Sequence, residues 1–191
     1  MVIYTKRGDK GKTSLYDKDS AQRDRARLAE DGESRRVSKD SLRIRAIGAL
    51  DELNSYLGVV ITSSQNPNLI ARLKDVQRNL FTIGSILAGS KLRFFKTKTR
   101  ELEKEIDDLE GELPVLKNFI LPGGADSAAH LQFARSISRR AERAVVSLSK
   151  KDPVKPQILT YLNRLSDYLF MKARSVNHKL DIFEETWVGR K

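Results

Sequence analysis

The chain has 191 residues, 39% of them hydrophobic, and carries 36 Lys and Arg against 25 Asp and Glu, a formal charge of +11. Without cysteine it can form no disulfide, Fe–S cluster or thiolate zinc site, and no apolar run approaches the ~18 residues of a membrane span. The charge favours anionic partners (nucleotides, nucleic acid or acidic surfaces) without choosing among them.

Residues Val2 to Tyr4 are β-branched and aromatic, a short strand at most. They lead into Thr5-Lys-Arg-Gly8-Asp9-Lys-Gly11-Lys-Thr13-Ser14, a turn-rich loop. From Asp17 to Arg36 the only large apolar residue is Leu28. Such a segment cannot bury enough surface to offset its ordering entropy, so 17–36 is expected to be a mobile polar insert. Helical apolar spacing then predicts five helices, over about 42–63, 68–89, 98–110, 125–150 and 155–178. Asn66-Pro67-Asn68 separates the first two. Gly111 and Pro114 are expected to end the third, and Asp152-Pro153 the fourth. Short links between helices of this length predict a single all-α domain over 1–191, an antiparallel five-helix bundle.

The predicted fourth helix holds Arg135-Ser-Ile-Ser-Arg139-Arg140-Ala-Glu142-Arg143, opened by Leu121-Pro122-Gly123-Gly124. At about 3.6 residues per turn, positions 135, 139, 142 and 143 share a face. Arginine is a planar donor fork that keeps its charge, so a row of them suits a polyanion such as a triphosphate. The ordinary alternative is a solvated basic face. In the N-terminal loop, glycines allow close backbone approach to phosphate oxygens, and Lys and Thr supply donors. Gly11-Lys12-Thr13 has the form of a Walker A tail, but Lys6 stands where that motif needs glycine, which rejects a P-loop fold. Asp51 lies beside the apolar stripe of the first helix, so a partly buried carboxylate paired with one of the arginines is expected, with Glu52 facing solvent. Asn163-Arg164-Leu-Ser166-Asp167 is a second polar island, explicable by helix–helix hydrogen bonds alone. The two histidines, His130 and His178, read as a surface or interface residue and a helix-terminal one; no metal site is expected.

Taken together, six islands in order resemble the PduO-type ATP:cob(I)alamin adenosyltransferases. They are Tyr4-Thr-Lys-Arg-Gly-Asp-Lys-Gly-Lys-Thr-Ser14, Val37-Ser-Lys39-Asp40, Gly48-Ala-Leu-Asp51-Glu-Leu-Asn-Ser55, Asn118-Phe-Ile-Leu-Pro-Gly-Gly124, Ala134-Arg-Ser-Ile-Ser-Arg-Arg-Ala-Glu-Arg143 and Tyr161-Leu-Asn-Arg-Leu-Ser-Asp-Tyr-Leu-Phe170. The resemblance implies a bundle, ferritin-like in general appearance, with an N-terminal nucleotide-binding loop. It implies a homotrimer with active sites between subunits, and transfer of the 5′-deoxyadenosyl group of ATP to the cobalt of cob(I)alamin, with Mg²⁺ carried on the phosphates. By motif position Thr5, Lys6, Gly8, Asp9, Gly11, Thr13, Ser14 and Lys39 would bind ATP, with Arg139, Arg140, Glu142, Arg143 and Asn163. Asp51 and Arg135 would form an interface salt bridge on the corrinoid side. Phe119 would fill the space under the corrin and keep its lower axial base away. An electron-donating reductase is the implied partner. Two departures stand out: Gln132 where relatives often have His, and the long insert.

The competing reading is a basic helical nucleic-acid-binding module without catalysis, favoured by charge alone. The basic residues are spread through every segment and no nucleic-acid motif is present. The opening MVIYTKRGDK has no signal-type apolar region, and the expected address is the cytoplasm. If 17–36 is uncored, deleting Gln22 to Glu33 should leave the thermal unfolding midpoint and the assembly state nearly unchanged. A fall of many degrees in calorimetry would show that it packs.

Overall fold

The computed structural model describes residues 4, 6, 8–15 and 36–189, so Thr5, Val2 and most of the predicted insert lie outside the described residues. A short antiparallel pair, β1 (Lys12–Ser14) and β2 (Arg36–Ser38), precedes five helices: α1 (Leu42–Ser63), α2 (Pro67–Leu87), α3 (Thr97–Glu112), α4 (Asp126–Ser149) and α5 (Pro156–Lys179). The bundle agrees with the helical spacing. The strand pair does not, because its register, Thr13 opposite Val37, joins short segments far apart in sequence. Arg36, placed by sequence at the end of the insert, belongs to β2 and donates to Lys12 O at 2.9 Å.

Local chemistry sets the helix ends. Ser41 accepts from Ile44 N at the start of α1, and Asn66 accepts from Asn68 N and Leu69 N at the start of α2, with Pro67 at the first position. α3 does not stop at Gly111; it runs to Glu112. Pro114 ends it by forcing Leu113 into extended backbone.

The helices alternate in direction, as their cross-links record. Arg43, at the start of α1, donates to Leu87 O at the end of α2 (2.6 Å) and pairs with Asp152 beyond the end of α4 (3.2 Å). At the other end of α1, Tyr56 meets His130 near the start of α4, 2.7 Å from oxygen to Nδ1. The core is leucine-rich (Leu53, Leu57, Leu73, Leu131, Leu162, Leu165) and includes the rings of Tyr161 and Tyr168. Burial pushes both phenols above their ordinary range. Arg72 of α2 reaches Glu101 (3.3 Å) and Glu105 (2.5 Å) of α3, and Lys172 of α5 also holds Glu105 (3.0 Å), so one charge network ties three helices. Among the described residues no helix is long and apolar enough to cross a membrane.

Alternation brings the end of α3 and the start of α4 to the same end of the bundle, on either side of α5. The connection 113–125 crosses that end. Asn177, 3% exposed in the last turn of α5, holds it: its Nδ2 donates to Gly123 O (3.1 Å) and its Oδ1 accepts from Ala125 N (3.0 Å). The side chain thereby caps α4, which has no cap of its own. The fit leaves no room at Gly124, where φ is +100° and an added Cβ would stand 2.2 Å from Asn177 Oδ1. Gly124→Ala should therefore cost more than ~1 kcal/mol in denaturant unfolding. Gly123→Ala, with nothing within 4 Å of the new carbon, should be near neutral.

Candidate active site

The N-terminal residues are organised by the strand pair. β2 returns the chain so that Lys39 N donates to Gly11 O (2.8 Å), and a Cβ at Gly8 would stand 3.2 Å from Lys39 Nζ. Gly11 supports the turn with φ +72° and donates to Gly8 O at 3.2 Å. Gly8, Gly11, Thr13, Ser14 and Lys39 are thus brought together, with Lys6 and Asp9 exposed on the same turn.

Thr13, Ser14 and Lys39 form one rim of a cavity of about 570 Å³ between α1 and α2. Ile44, Ile47 and Leu50 form its floor, with Phe81 and Gly84 opposite. Asp51 lines it but is exposed and makes no ion pair among the described residues. The expectation of a partly buried, arginine-paired Asp51 is therefore not met within one chain. One residue along a helix turns the side chain by about 100°, away from the buried Leu50 and into the groove. Glu52 takes the arginine instead, receiving a short hydrogen bond from Arg140 that braces α1 against α4. Asn54, one turn on, is buried and its Oδ1 has no hydrogen-bond partner among the described residues.

The first two arginines of the row, Arg135 and Arg139, face a second cavity, of about 700 Å³, between α3, α4 and α5. Arg135, Arg139, Phe119 and Phe170 line it, with Arg164 and Arg174. Arg135 is steered by Gln132, whose Oε1 accepts from its Nε at 3.0 Å, and its guanidinium lies 5.8 Å from the centre of the Phe170 ring. Burial, and then the neighbouring charge of Arg139, hold the Arg135 guanidinium below its ordinary value. Arg139 and Arg143 have no ion pair among the described residues. Glu142 is held by Asn163, which donates at 3.1 Å. Like-charged arginines side by side, with their carboxylates spent elsewhere, form a place where an incoming anion is stabilised.

Phe119 reverses the ordinary expectation for a large apolar residue. Its side chain is 78% exposed, so it is no core anchor in this chain. Its backbone, by contrast, is fixed. Phe119 O accepts from Trp187 N (2.7 Å) and Leu121 N donates to Glu185 O (2.8 Å), pairing the connection with the segment after α5. The polar island at 163–167 serves helix contacts: Arg164 pairs with Glu103 (3.3 Å) and Asp167 (2.7 Å).

Two groups of the predicted residues thus line two grooves, one with Thr13, Ser14, Lys39 and Asp51, the other with Phe119, Arg135 and Arg139, while Arg140, Glu142, Arg143 and Asn163 line neither. The family model for cobalamin adenosyltransferase matches residues 28–176. The chain belongs to that family. It is similar to a corrinoid adenosyltransferase from Bacillus subtilis, at 42% identity over 190 residues, covering 95% of this chain and 90% of the relative. Among solved structures, a Phe→Ala variant of a PduO-type ATP:corrinoid adenosyltransferase from Lactobacillus reuteri, complexed with cobalamin and ATP, has a TM-score of 0.85 and 32% identity. It covers 98% of this chain and 100% of that one. An Arg→Lys variant from the same organism, complexed with ATP, has a TM-score of 0.84 and 33% identity, with coverage of 97% and 100%.

Sequence reasoning had not reached Glu52 as the partner of Arg140, Gln132 as the guide of Arg135, or Asn54, Arg174 and Asn177. The available signal was polar residues recurring on otherwise buried helix faces, as at Arg174 and Asn177 in α5.

Proposed function

We propose that this enzyme transfers the 5′-deoxyadenosyl group of ATP to the cobalt of cob(I)alamin, giving adenosylcobalamin and triphosphate, at a site completed by a second copy of the chain. The observation that carries the reading is the division of the site. A phosphate-type loop with its lysine lies on one groove, an arginine row with an exposed phenylalanine lies on another, and a ligand touching both needs two chains. Two different surfaces that meet in this way make a head-to-tail contact, which closes as a ring when the rotation between copies divides a full turn. A homotrimer is such a ring, and Asp51 of one copy then meets Arg135 of the next.

In that site Thr5, Lys6, Gly8, Asp9, Gly11, Thr13, Ser14 and Lys39 wrap the triphosphate from one side. Arg139, Arg140, Glu142, Arg143 and Asn163 hold the nucleotide from the other. Cob(I)alamin supplies the electron pair: cobalt attacks the 5′ carbon, the Co–C bond forms, the C–O bond breaks, and the pair leaves on triphosphate. No side chain needs to remove a proton. The chain's work is to orient the carbon and stabilise charge arriving on the leaving oxygens. Mg²⁺ enters with the ATP, carried on the phosphate oxygens. Phe119 stands in the corrinoid groove as an apolar wedge in the volume of the lower axial base. Excluding that ligand eases reduction of cob(II)alamin, for which a reductase supplies the electron. A cytoplasmic setting provides the ATP.

An anaerobic assay with chemically reduced cobalamin and Mg-ATP, following loss of the Co(I) absorbance, tests the activity; no loss of that absorbance overturns it. Arg139→Ala should remove charge-assisted bonds of about 1.5–3 kcal/mol each, weakening ATP binding and turnover roughly tenfold to a hundredfold per bond. Isothermal titration and initial rates would show it, and unchanged values in a folded variant would rule out the placement. Phe119→Ala should spare the melting temperature, since the ring is exposed. It should lower turnover from cob(II)alamin plus reductant far more than from pre-formed cob(I)alamin, and electron paramagnetic resonance should move from a four-coordinate towards a five-coordinate signal. Equal losses from both cobalt states would sink the wedge.

A further inference from the structure

We infer that Arg174 is a positioning residue for Phe119: from the end of α5 its guanidinium fixes both segments that bracket the ring, and so sets where the ring stands in the groove. This rests on the reading of Phe119 as a wedge.

The ring has little packing of its own to hold it, so its place depends on its backbone. That backbone is fixed through the segment after α5, by the bonds from Trp187 N to Phe119 O and from Leu121 N to Glu185 O. The segment is in turn held by Glu184, whose Oε2 accepts from Arg174 Nε at 3.0 Å. From the same guanidinium, Nη2 donates to Pro114 O at 2.9 Å, on the approach to Phe119 from the other side. Arg174 is 6% exposed, and its side chain and that of Glu184 are 7% and 18% exposed. With so little water to replace either partner, removing one leaves the other charge buried and unpaired. The planar fork matters as well as the charge. It points donors at a carboxylate and a carbonyl in different directions at once, which a lysine ammonium on a flexible stem does not reproduce. A wedge has value only at one position, and displacement of about 1 Å is enough to cost catalysis heavily.

The test uses full-length Arg174→Met and Arg174→Lys beside Phe119→Ala. Each is assayed from cob(II)alamin with reductant and from chemically reduced cob(I)alamin, with electron paramagnetic resonance of the bound cob(II)alamin. Arg174→Met should lose roughly tenfold or more from cob(II)alamin while keeping most of its rate from cob(I)alamin and its KM for ATP. The four-coordinate signal should diminish in step. Arg174→Lys should recover part of it, keeping the charge beside Glu184 without the second bond. Added to Phe119→Ala, Arg174→Met should cause no further loss, because both act through one ring. Equal losses from both cobalt states, or additive losses in the double variant, would make Arg174 a structural residue only and overturn the inference. Loss of the four-coordinate signal in Phe119→Ala with its retention in Arg174→Met would overturn the inference alone. Retention in Phe119→Ala would overturn the wedge and the inference with it. If Arg174→Met does not fold, Glu184→Gln, which leaves the bond to Pro114 O in place, decides on the same readouts.

Discussion

A stretch of irregular backbone lies across the end of a helix, and side chains of that helix anchor it. The connection 113–125 is largely exposed, and it pairs with the segment after α5 around Ile120. Asn177 supplies a donor and an acceptor to its second half, and Arg174 supplies a donor to its first. The capped start of α4, the direction of the arginine row and the placement of Phe119 all follow from these contacts. The Gly124 conformation is the local cost of bringing backbone that close to Asn177.

The two grooves divide the chemistry by physical type. The α1–α2 groove has an apolar floor and a rim of glycine, hydroxyl and ammonium groups, which suits a nucleotide held chiefly through its phosphates. The α3–α4–α5 groove mixes guanidinium groups with aromatic and aliphatic walls, which suits a large ligand that is part amide and part hydrocarbon. Five arginines, Arg43, Arg72, Arg140, Arg164 and Arg174, each pair with a carboxylate. Arg139 and Arg143 have no ion pair among the described residues, and net charge alone does not single them out from the basic residues spread along the chain.

The helices were legible because each keeps a buried stripe at helical spacing for many turns, and the arginine row because four charges on one helix must share faces. The strand pair was not, since three-residue strands far apart in sequence carry almost no periodic signal. Asp51 was misjudged by the assumption that position beside apolar residues means burial. Hydrophobicity predicts the interior only one way, and an exposed aromatic on a fixed backbone is more informative than a buried one. Arg174 and Asn177 escaped notice because their partners lie 60 and 52 residues away.

The pairing of Phe119 with Trp187 also has a consequence for how the polypeptide is made. Synthesis runs from the N-terminus, and domains fold as their parts emerge. α1 and α2 can associate while the ribosome is still adding α4, whereas α3 packs against α5 and must await it. The cap for Ala125 is not available until Asn177 has emerged, and the clamp on Phe119 not until Glu184 and Trp187 have followed. The α3–α4–α5 groove is therefore the last part of the described structure to take its shape, and a nascent chain halted before its final residues would carry an assembled core with an unset loop.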